Sequence, residues 1–166
     1  MIRLETQRLI LRNVCPGDAE VMYDYRNDDR CARYQRGQTK DFPGICTLAE
    51  RRQYDAIQDQ ENFMVSVERK DSGNMIGEIV VMPNDGCFSI GYTFHYNHHR
   101  KGYAYEALSC LIDHLHEQYP AMEFISFTDP ENIASMALLR KLGYQDLGYA
   151  PKVESQVFGK WLNEEE

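Results

Sequence analysis

The sequence predicts one α/β domain, built on a mixed, mostly antiparallel central sheet that is flanked by helices. The chain has 166 residues, which is an ordinary size for a domain with a single core. No internal repeat or long linker divides it, so residues 1–166 are expected to form one unit. Segments with strand and helix periodicity follow in the order strand, two helices, three strands, helix, strand, helix and two strands, which is an α/β order.

The first predicted elements are a strand and a helix. Residues 2–12 carry apolar residues within a short polar frame, which predicts a strand, and the turn residues 15–18 end it. Apolar residues then recur at helical spacing, at Val21, Met22 and Tyr25. A helix is therefore expected directly after the turn.

A second helix is expected from Thr47 to about Asp59. Thr47 and Glu50 have the spacing of a capping box, in which two side chains satisfy free N–H groups at the start of a helix. The stretch before it, residues 30–43, follows no regular pattern. Loops on a rigid scaffold commonly carry substrate contacts, so this stretch is either an acceptor-side loop or a plain connector.

The middle of the chain changes to the period of strands. Residues 63–68 alternate in the manner of a half-buried strand, and further strands are expected at 76–82 and 88–94. Turn residues separate the three segments, which predicts an antiparallel meander. A helix follows the meander, and another helix lies between the later strands. The remaining strands are predicted at 122–128, 144–149 and 156–162.

Composition and charge exclude several classes of protein. The formal net charge of -8 opposes a general affinity for nucleic acid, and no apolar run approaches the roughly 18 residues of a membrane span. The first residues lack the apolar stretch of a signal peptide, so a cytoplasmic location is expected. Five scattered cysteines without a C-x-x-C pair indicate reduced thiols. The acidic balance either suits a cationic substrate or only keeps the protein soluble.

The segment 90–108 carries the clearest chemical signal. A strand leads into a loop that contains Arg100 and Lys101, and Gly102 opens a strongly amphipathic helix. A helix start presents unpaired N–H groups and a positive dipole end, and a glycine lets a phosphate approach the backbone. The segment is neither a Walker A loop nor a G-x-G-x-x-G fingerprint. An anion site is the functional interpretation, and a solvated turn is the alternative.

This segment resembles motif A of the GNAT acetyltransferases, in which a strand, a loop and a helix hold the pyrophosphate of acetyl-CoA. Gly102 and Ala104 match the last two signature positions. His99 stands where the family has glutamine or arginine, and Arg100 stands where glycine is frequent. The resemblance implies acetyl-CoA as the co-substrate. The residues of this segment expected to bind it are Phe94, His95, Tyr96, His99, Arg100, Lys101, Gly102, Tyr103 and Ala104.

The three histidines of this loop raise the question of a metal site. They are His95, His98 and His99. No carboxylate or cysteine close by in the sequence completes a recognisable ligand set. No metal is therefore expected.

The segment 129–144 resembles motif B of the same family. The matching residues are Asn132, Ser135, Lys141, Gly143 and Tyr144. Without the resemblance, the same pattern predicts a capped helix with no chemistry, because asparagine is a good N-cap and glycine a good helix end. The start of the chain, residues 4–12, also resembles the branch that includes the ribosomal-protein N-terminal acetyltransferases. Asn132, Ser135 and Lys141 are therefore expected at the acetyl-CoA site.

The resemblance implies an N-acetyltransferase in which a primary amine attacks the thioester directly in a ternary complex. Relatives often protonate the leaving thiolate with a tyrosine on the motif B helix, where this chain has Leu139. Ser135 is therefore the candidate general acid, or it only bonds to the backbone. Relatives often carry a glutamate at the position of Ser89, so Glu78 on the adjacent strand is the candidate general base, with an ordinary surface glutamate as the alternative. A backbone N–H near residues 94–96 is expected to stabilise the oxyanion.

The expected acceptor is a peptide N-terminus or a small polyamine-like molecule. An α-amine, with a pKa of about 7.7–8.0, is partly neutral at pH 7, whereas a lysine-type amine near about 10.4 is not. The competing interpretation is a non-catalytic acyl-CoA-binding regulatory domain on the same fold, suggested by the missing tyrosine and strand glutamate. The oligomeric state is left open, with a homodimer as one alternative, and neither nucleic acid nor a membrane is expected as a partner.

Overall fold

The protein, analysed as a computed structural model that describes residues 1–164, has eight strands and five α-helices in the part described. The strands are β1 (Arg3–Glu5), β2 (Leu9–Asn13), β3 (Phe63–Arg69), β4 (Met75–Asn84), β5 (Cys87–Phe94), β6 (Glu123–Thr128), β7 (Gln145–Ala150) and β8 (Ser155–Lys160). The helices are α1 (Ala19–Arg26), α2 (Asp29–Ala32), α3 (Phe42–Arg52), α4 (Tyr103–Gln118) and α5 (Ile133–Lys141).

All the strands belong to one sheet, in the order β1-β2-β3-β4-β5-β6-β8-β7. Every neighbouring pair is antiparallel except β5 and β6, which run parallel. The predicted mixed, mostly antiparallel sheet with flanking helices is confirmed. The meander of β3, β4 and β5 and the final pair β7 and β8 are also present where the sequence predicts them.

Two apolar clusters cover the two faces of the sheet. Neighbouring residues of β3 alternate between them, because side chains along a strand point to opposite faces. Phe63 and Val65 pack in the cluster that contains α4 and α5, whereas Met64 packs in the cluster that contains α1 and α3. The sheet therefore lies between a layer of α4 and α5 and a layer of α1 and α3.

Helix α4 is the longest helix, and its apolar face lies against the sheet. Its buried residues are Tyr103, Ala107, Leu108, Leu111, Ile112 and Leu115. These follow the spacing of three and four residues that predicts one apolar face. Within residues 1–164, none of the helices combines the length and the apolar character that crossing a membrane requires.

The single strand predicted for residues 2–12 is wrong. The segment forms a hairpin, in which β1 pairs with β2 and Arg3 lies opposite Arg12. The polar Thr6 makes the turn, since its N–H donates to the carbonyl oxygen of Leu9 and its hydroxyl oxygen accepts the Leu9 N–H. The apolar residues on both sides hide this break, because they look like one continuous run.

The predicted start and end of the second helix are also wrong. Helix α3 begins at Phe42, five residues before Thr47, and ends at Arg52. Asp41 caps it by accepting the N–H of Gly44 at 2.9 Å, and a proline in the first turn needs no N–H partner. Thr47 lies inside the helix and donates to the carbonyl oxygen of Pro43. The preceding stretch is also partly regular, because it contains α2.

Candidate active site

The candidate site begins where β5 and β6 separate. Their backbone pairing ends at Ser89 and Ile125, and the Ser126 hydroxyl then donates to the carbonyl oxygen of Ile90 at 3.2 Å. On the other edge of β5, His95 donates its N–H to β4. Hydrogen bonding alternates along an antiparallel strand, so the backbone N–H of Phe94 points away from β4, into the gap that opens between β5 and β6.

A cavity of about 230 Å³ fills this gap. One wall is formed by Asn132, Ser135 and Leu139 at α5, and the opposite wall by residues 34–36 after α2. Gly91 lies on the edge of β5 between the two walls, and a Cβ atom added there would meet nothing within 4 Å. The cavity is therefore lined from both faces of the sheet.

Residues 34–36 are held in place against this cavity. Gln35 Nε2 donates to the carbonyl oxygen of Tyr92 at 3.1 Å. Arg36 donates to the carbonyl oxygen of Glu154 at 2.7 Å and lies 3.6 Å from a carboxylate oxygen of Asp129. Part of the stretch that the sequence left as a loop or a connector is thus a fixed wall of the cavity.

Two hydroxyl groups meet in the cavity wall. The phenolic oxygen of Tyr92 on β5 is 2.6 Å from Ser135 Oγ. Ser135 lies in the first turn of α5, where its N–H donates to the side chain of the N-cap Asn132 at 3.2 Å. Burial raises the pKa of Tyr92, and the hydrogen bond with Ser135 only partly offsets that rise. The phenol therefore keeps its proton at neutral pH.

The loop between β5 and α4 has the backbone geometry of an anion site. Gly102 is the N-cap of α4 with φ 81°, in the left-handed region that glycine adopts without strain. Within the described residues no side chain caps this helix start. The first N–H groups of α4, at Tyr103 and Ala104, are therefore available to an anion. His99 Nε2 lies 2.6 Å from the carbonyl oxygen of Phe94 and fixes the start of the loop, while Arg100 takes a positive φ of 62°.

Arg8 connects the N-terminal hairpin to this loop. Its guanidinium donates to the carbonyl oxygen of Lys101 at 3.0 Å and to the Glu106 carboxylate at 2.7 Å, and it lies 4.2 Å from the centre of the Tyr103 ring. Thr6 also donates to Glu106. Burial acts to raise the pKa of Glu106, but the hydrogen bonds from Thr6 and Arg8 outweigh it and lower that pKa. Glu106 therefore holds the hairpin against α4.

The side chains of His95 and Tyr96 face α1. His95 Nδ1 accepts the Asn97 N–H, so Nε2 carries the hydrogen and donates to Asp24 at 2.9 Å. The Tyr96 hydroxyl donates to the same carboxylate at 3.0 Å. Because these polar atoms are already paired with Asp24, we expect the backbone of these residues, rather than their side-chain polar atoms, to form any hydrogen bond with acetyl-CoA.

Glu78 is buried and paired, so it is not the surface glutamate that the sequence allows. It is 1% exposed, and its two carboxylate oxygens accept from Arg26 at 2.8 and 2.6 Å and from the Tyr25 hydroxyl at 2.6 Å. Arg26 also donates to the carbonyl oxygen of Thr39. Glu78 does not line the cavity. This placement gives Glu78 the role of anchoring α1 to β4, and we do not retain it as the general base.

The remaining predicted residue, Lys141, lies near the end of α5. Its ammonium nitrogen is 4.3 Å from the centre of the Tyr105 ring on α4, so it links the two helices that flank the gap. Among residues 1–164, no group of three or more histidine, cysteine, aspartate or glutamate side chains is arranged to hold a metal ion.

Tyr92 and Arg8 are the functional candidates that the sequence did not single out. Both lie inside segments that resemble the family. Tyr92 follows Ile90 and Gly91 in the first segment, and Arg8 belongs to the N-terminal segment 4–12. The signal was therefore present, but nothing in the local pattern indicated that Tyr92 reaches a helix 43 positions further along the chain.

A helix start open to an anion, beside a gap in the sheet, suits a protein that carries a phosphorylated acyl donor into the middle of its sheet. The family model described as an acetyltransferase (GNAT) domain matches residues 8–145. The chain belongs to the GNAT family and is an acetyltransferase, and the predicted resemblance is confirmed.

Similar proteins agree with this assignment. The chain is 26% identical over 157 residues to the uncharacterized N-acetyltransferase YnaD of Bacillus subtilis (strain 168), covering 91% of this chain and 87% of that protein. It has the fold of RimL, the ribosomal L7/L12 alpha-N-protein acetyltransferase in complex with coenzyme A, with a TM-score of 0.81, 12% identity, and 96% and 97% of the two chains covered. It also has the fold of the microcin C7 self-immunity acetyltransferase MccE in complex with acetyl-CoA and AMP, with a TM-score of 0.79, 17% identity, and 93% of each chain covered.

Proposed function

We propose that this protein transfers the acetyl group of acetyl-CoA to a primary amine by direct attack in a ternary complex. The cavity between β5 and β6, lined from both faces of the sheet, is the observation that carries the proposal. The donor enters on the α4 and α5 side, and the acceptor enters past residues 34–36. Two substrates that reach one gap from opposite faces can be aligned for a single transfer.

The acetyl-CoA site fits the residues around the start of α4. The pyrophosphate oxygens are expected to accept hydrogen bonds from the backbone N–H groups of Gly102, Tyr103 and Ala104. Arg100 and Lys101 would add positive charge nearby. Asn132 and Lys141, at the two ends of α5, flank the path of the pantetheine arm. RimL and MccE were determined with coenzyme A and acetyl-CoA, which supports the same co-substrate for this fold. One acetyl-CoA per chain is proposed, whether the chain acts alone or as a homodimer.

Two groups of the chain act on the reacting atoms in this proposal. The backbone N–H of Phe94 points into the gap and is the proposed donor to the oxyanion, since such donors act where charge develops in the transition state. The Ser135 hydroxyl lines the cavity and is the proposed general acid for the leaving thiolate. A thiol with a pKa near about 8.5 leaves readily, so the acid is expected to help without being indispensable.

Ser135→Ala tests this role directly. We expect kcat to fall by about 10- to 100-fold, below the upper range of general acid catalysis because the thiolate is a good leaving group. Affinity for acetyl-CoA, measured by calorimetry, should stay the same. Ser135→Thr keeps a hydroxyl and should retain most of the activity. An unaltered kcat and KM in Ser135→Ala would remove Ser135 from the mechanism.

The proposed acceptor is the α-amine of a peptide, with small amines as the second choice. Glu78 is buried, so among the described residues that line the cavity Asp129 is the one carboxylate, and it is 3.6 Å from Arg36. The amine is therefore expected to arrive neutral. At pH 7 roughly a tenth of α-amines are neutral, but fewer than about one in a thousand lysine-type amines are. RimL, by its name an alpha-N-protein acetyltransferase, supports the same class of acceptor.

A thiol-release assay over an amine panel tests the proposed function. We expect kcat/KM to be higher for peptides with a free α-amine than for polyamines, amino sugars or free amino acids, and to rise with pH as the α-amine loses its proton. A preference for hydroxyl or thiol acceptors would overturn the N-acetyltransferase assignment. Binding of acetyl-CoA without thiol release on any amine would favour the non-catalytic regulatory domain, which the leucine at position 139 also favours.

A further inference from the structure

The hydrogen bond between Tyr92 and Ser135 assigns a role to a residue of the central strand. Ser135 and Leu139 both line the cavity and lie one helical turn apart on α5. Leu139 brings no hydroxyl to this wall, whereas Tyr92 brings one from β5, 2.6 Å from Ser135 Oγ. We propose that Tyr92 is a positioning residue for acetyl transfer, whose hydroxyl donates to Ser135 Oγ and leaves the Ser135 hydrogen directed into the cavity.

This inference rests on the proposed function and makes it more specific. A serine hydroxyl has one hydrogen and rotates freely unless a partner holds it. In the first turn of a helix it can turn to a nearby backbone carbonyl oxygen instead. A hydrogen bond from Tyr92 occupies one acceptor site of the Ser135 oxygen and limits its rotation. The serine is then already oriented when the thiolate forms.

The direction of the hydrogen bond follows from the surroundings of the two groups. Within residues 1–164, the phenolic oxygen of Tyr92 has Ser135 as its hydrogen-bond partner and no second one. If Ser135 donated, the phenolic hydrogen would lack a protein acceptor at a partly buried position, which is unfavourable. If Tyr92 donates, its hydrogen is satisfied and the Ser135 hydrogen can bond to a substrate. Burial also raises the pKa of Tyr92, so the donor stays protonated at neutral pH.

A double-mutant cycle with Tyr92→Phe and Ser135→Ala tests the assignment. Tyr92→Phe removes the hydroxyl and keeps the ring. We expect kcat to fall by about 10-fold, at the low end of general acid effects because the serine itself remains. Affinity for acetyl-CoA, measured by calorimetry, should be unchanged. In the Ser135→Ala background, Tyr92→Phe should cause no further loss of kcat, because coupled residues are not additive.

Tyr119→Phe is the matched control. Tyr119 packs edge-on against Phe88 directly after the end of α4, and its hydroxyl does not line the cavity. Its removal should leave kcat unchanged. Multiplicative losses in the Tyr92 and Ser135 double variant, or a Tyr92→Phe variant that changes only KM, would overturn the role of Tyr92 in an active enzyme. A wild-type protein that releases no thiol with any amine would instead overturn the proposed function, and the role of Tyr92 with it.

Discussion

Glu78→Ala should lower the free energy of unfolding by about 3–5 kcal/mol, the cost of breaking a buried ion pair by removing one partner. Arg26, 3% exposed, would remain charged in the layer between α1 and the sheet. The Tyr25 hydroxyl would also lose its acceptor. The loss is measured by urea unfolding, where the midpoint should shift strongly while the slope stays similar.

Glu5→Ala is the control for this prediction. Glu5 pairs with Arg3 at 2.7 Å, but both side chains are about half exposed, so solvent screens the pair. The unfolding free energy should change little. Equal losses of unfolding free energy in the two variants would show that the buried Glu78–Arg26 pair stabilises the fold no more than the exposed Glu5–Arg3 pair does. Glu78→Gln separates stability from chemistry: if the folded variant binds acetyl-CoA normally but loses kcat, Glu78 returns as a candidate base.

Gly102→Glu should weaken acetyl-CoA binding by at least about 100-fold. A carboxylate at this position would face the pyrophosphate, and the juxtaposition of like charges costs several kcal/mol, where each factor of ten corresponds to about 1.4 kcal/mol. The added Cβ would also lie 3.3 Å from a guanidinium nitrogen of Arg8. Arg8 would have to move, although it is already bonded to Glu106. Calorimetry with acetyl-CoA measures the effect.

Gly86→Glu is a closely matched control for Gly102→Glu. Gly86 has the same φ of 81°, and an added Cβ would meet nothing within 4 Å. It lies in the turn before β5, at the opposite end of the strand from Gly102. Both variants should lose about 1–2 kcal/mol of stability from a left-handed non-glycine residue, but only Gly102→Glu should lose affinity. Normal binding by a folded Gly102→Glu variant would place the phosphate site elsewhere.

Much of the fold follows from local patterns. The apolar spacing along α4 and the strand pattern of β3 need only neighbouring residues to be recognised, and both elements lie where the sequence predicts them. The expected half-burial of β3 is wrong, because its residues from Phe63 to Val67 are all buried. The prediction of where α3 begins was wrong because two capping signals compete within one short segment. Thr47 and Glu50 have the spacing of a capping box, but Asp41 lies just before a proline in the first turn of the helix. The Asp41 side chain accepts the Gly44 N–H and caps the helix instead.

The site was only partly predictable, because its contacts join distant parts of the chain. The loop at Gly102 could be recognised, since a glycine at a helix start next to cations is a local pattern. The bond from Arg8 to Glu106 spans 98 positions and that from Arg26 to Glu78 spans 52. No periodicity encodes such pairs, so Glu78 looked like a free carboxylate.

Because β5 and β6 pair over only a short length, the sheet consists of two parts, here called plates. Strands β1 to β5 form one plate, and β6, β8 and β7 form the other; in the described residues, three backbone pairs at Cys87–Ser89 and the bond from the Ser126 hydroxyl to Ile90 join them along the sheet. Past that seam, their separation depends on the packing of helices and on whatever occupies the gap. If acetyl-CoA binds there as proposed, it would contact both plates at once and so would act as a spacer between them as well as a reactant.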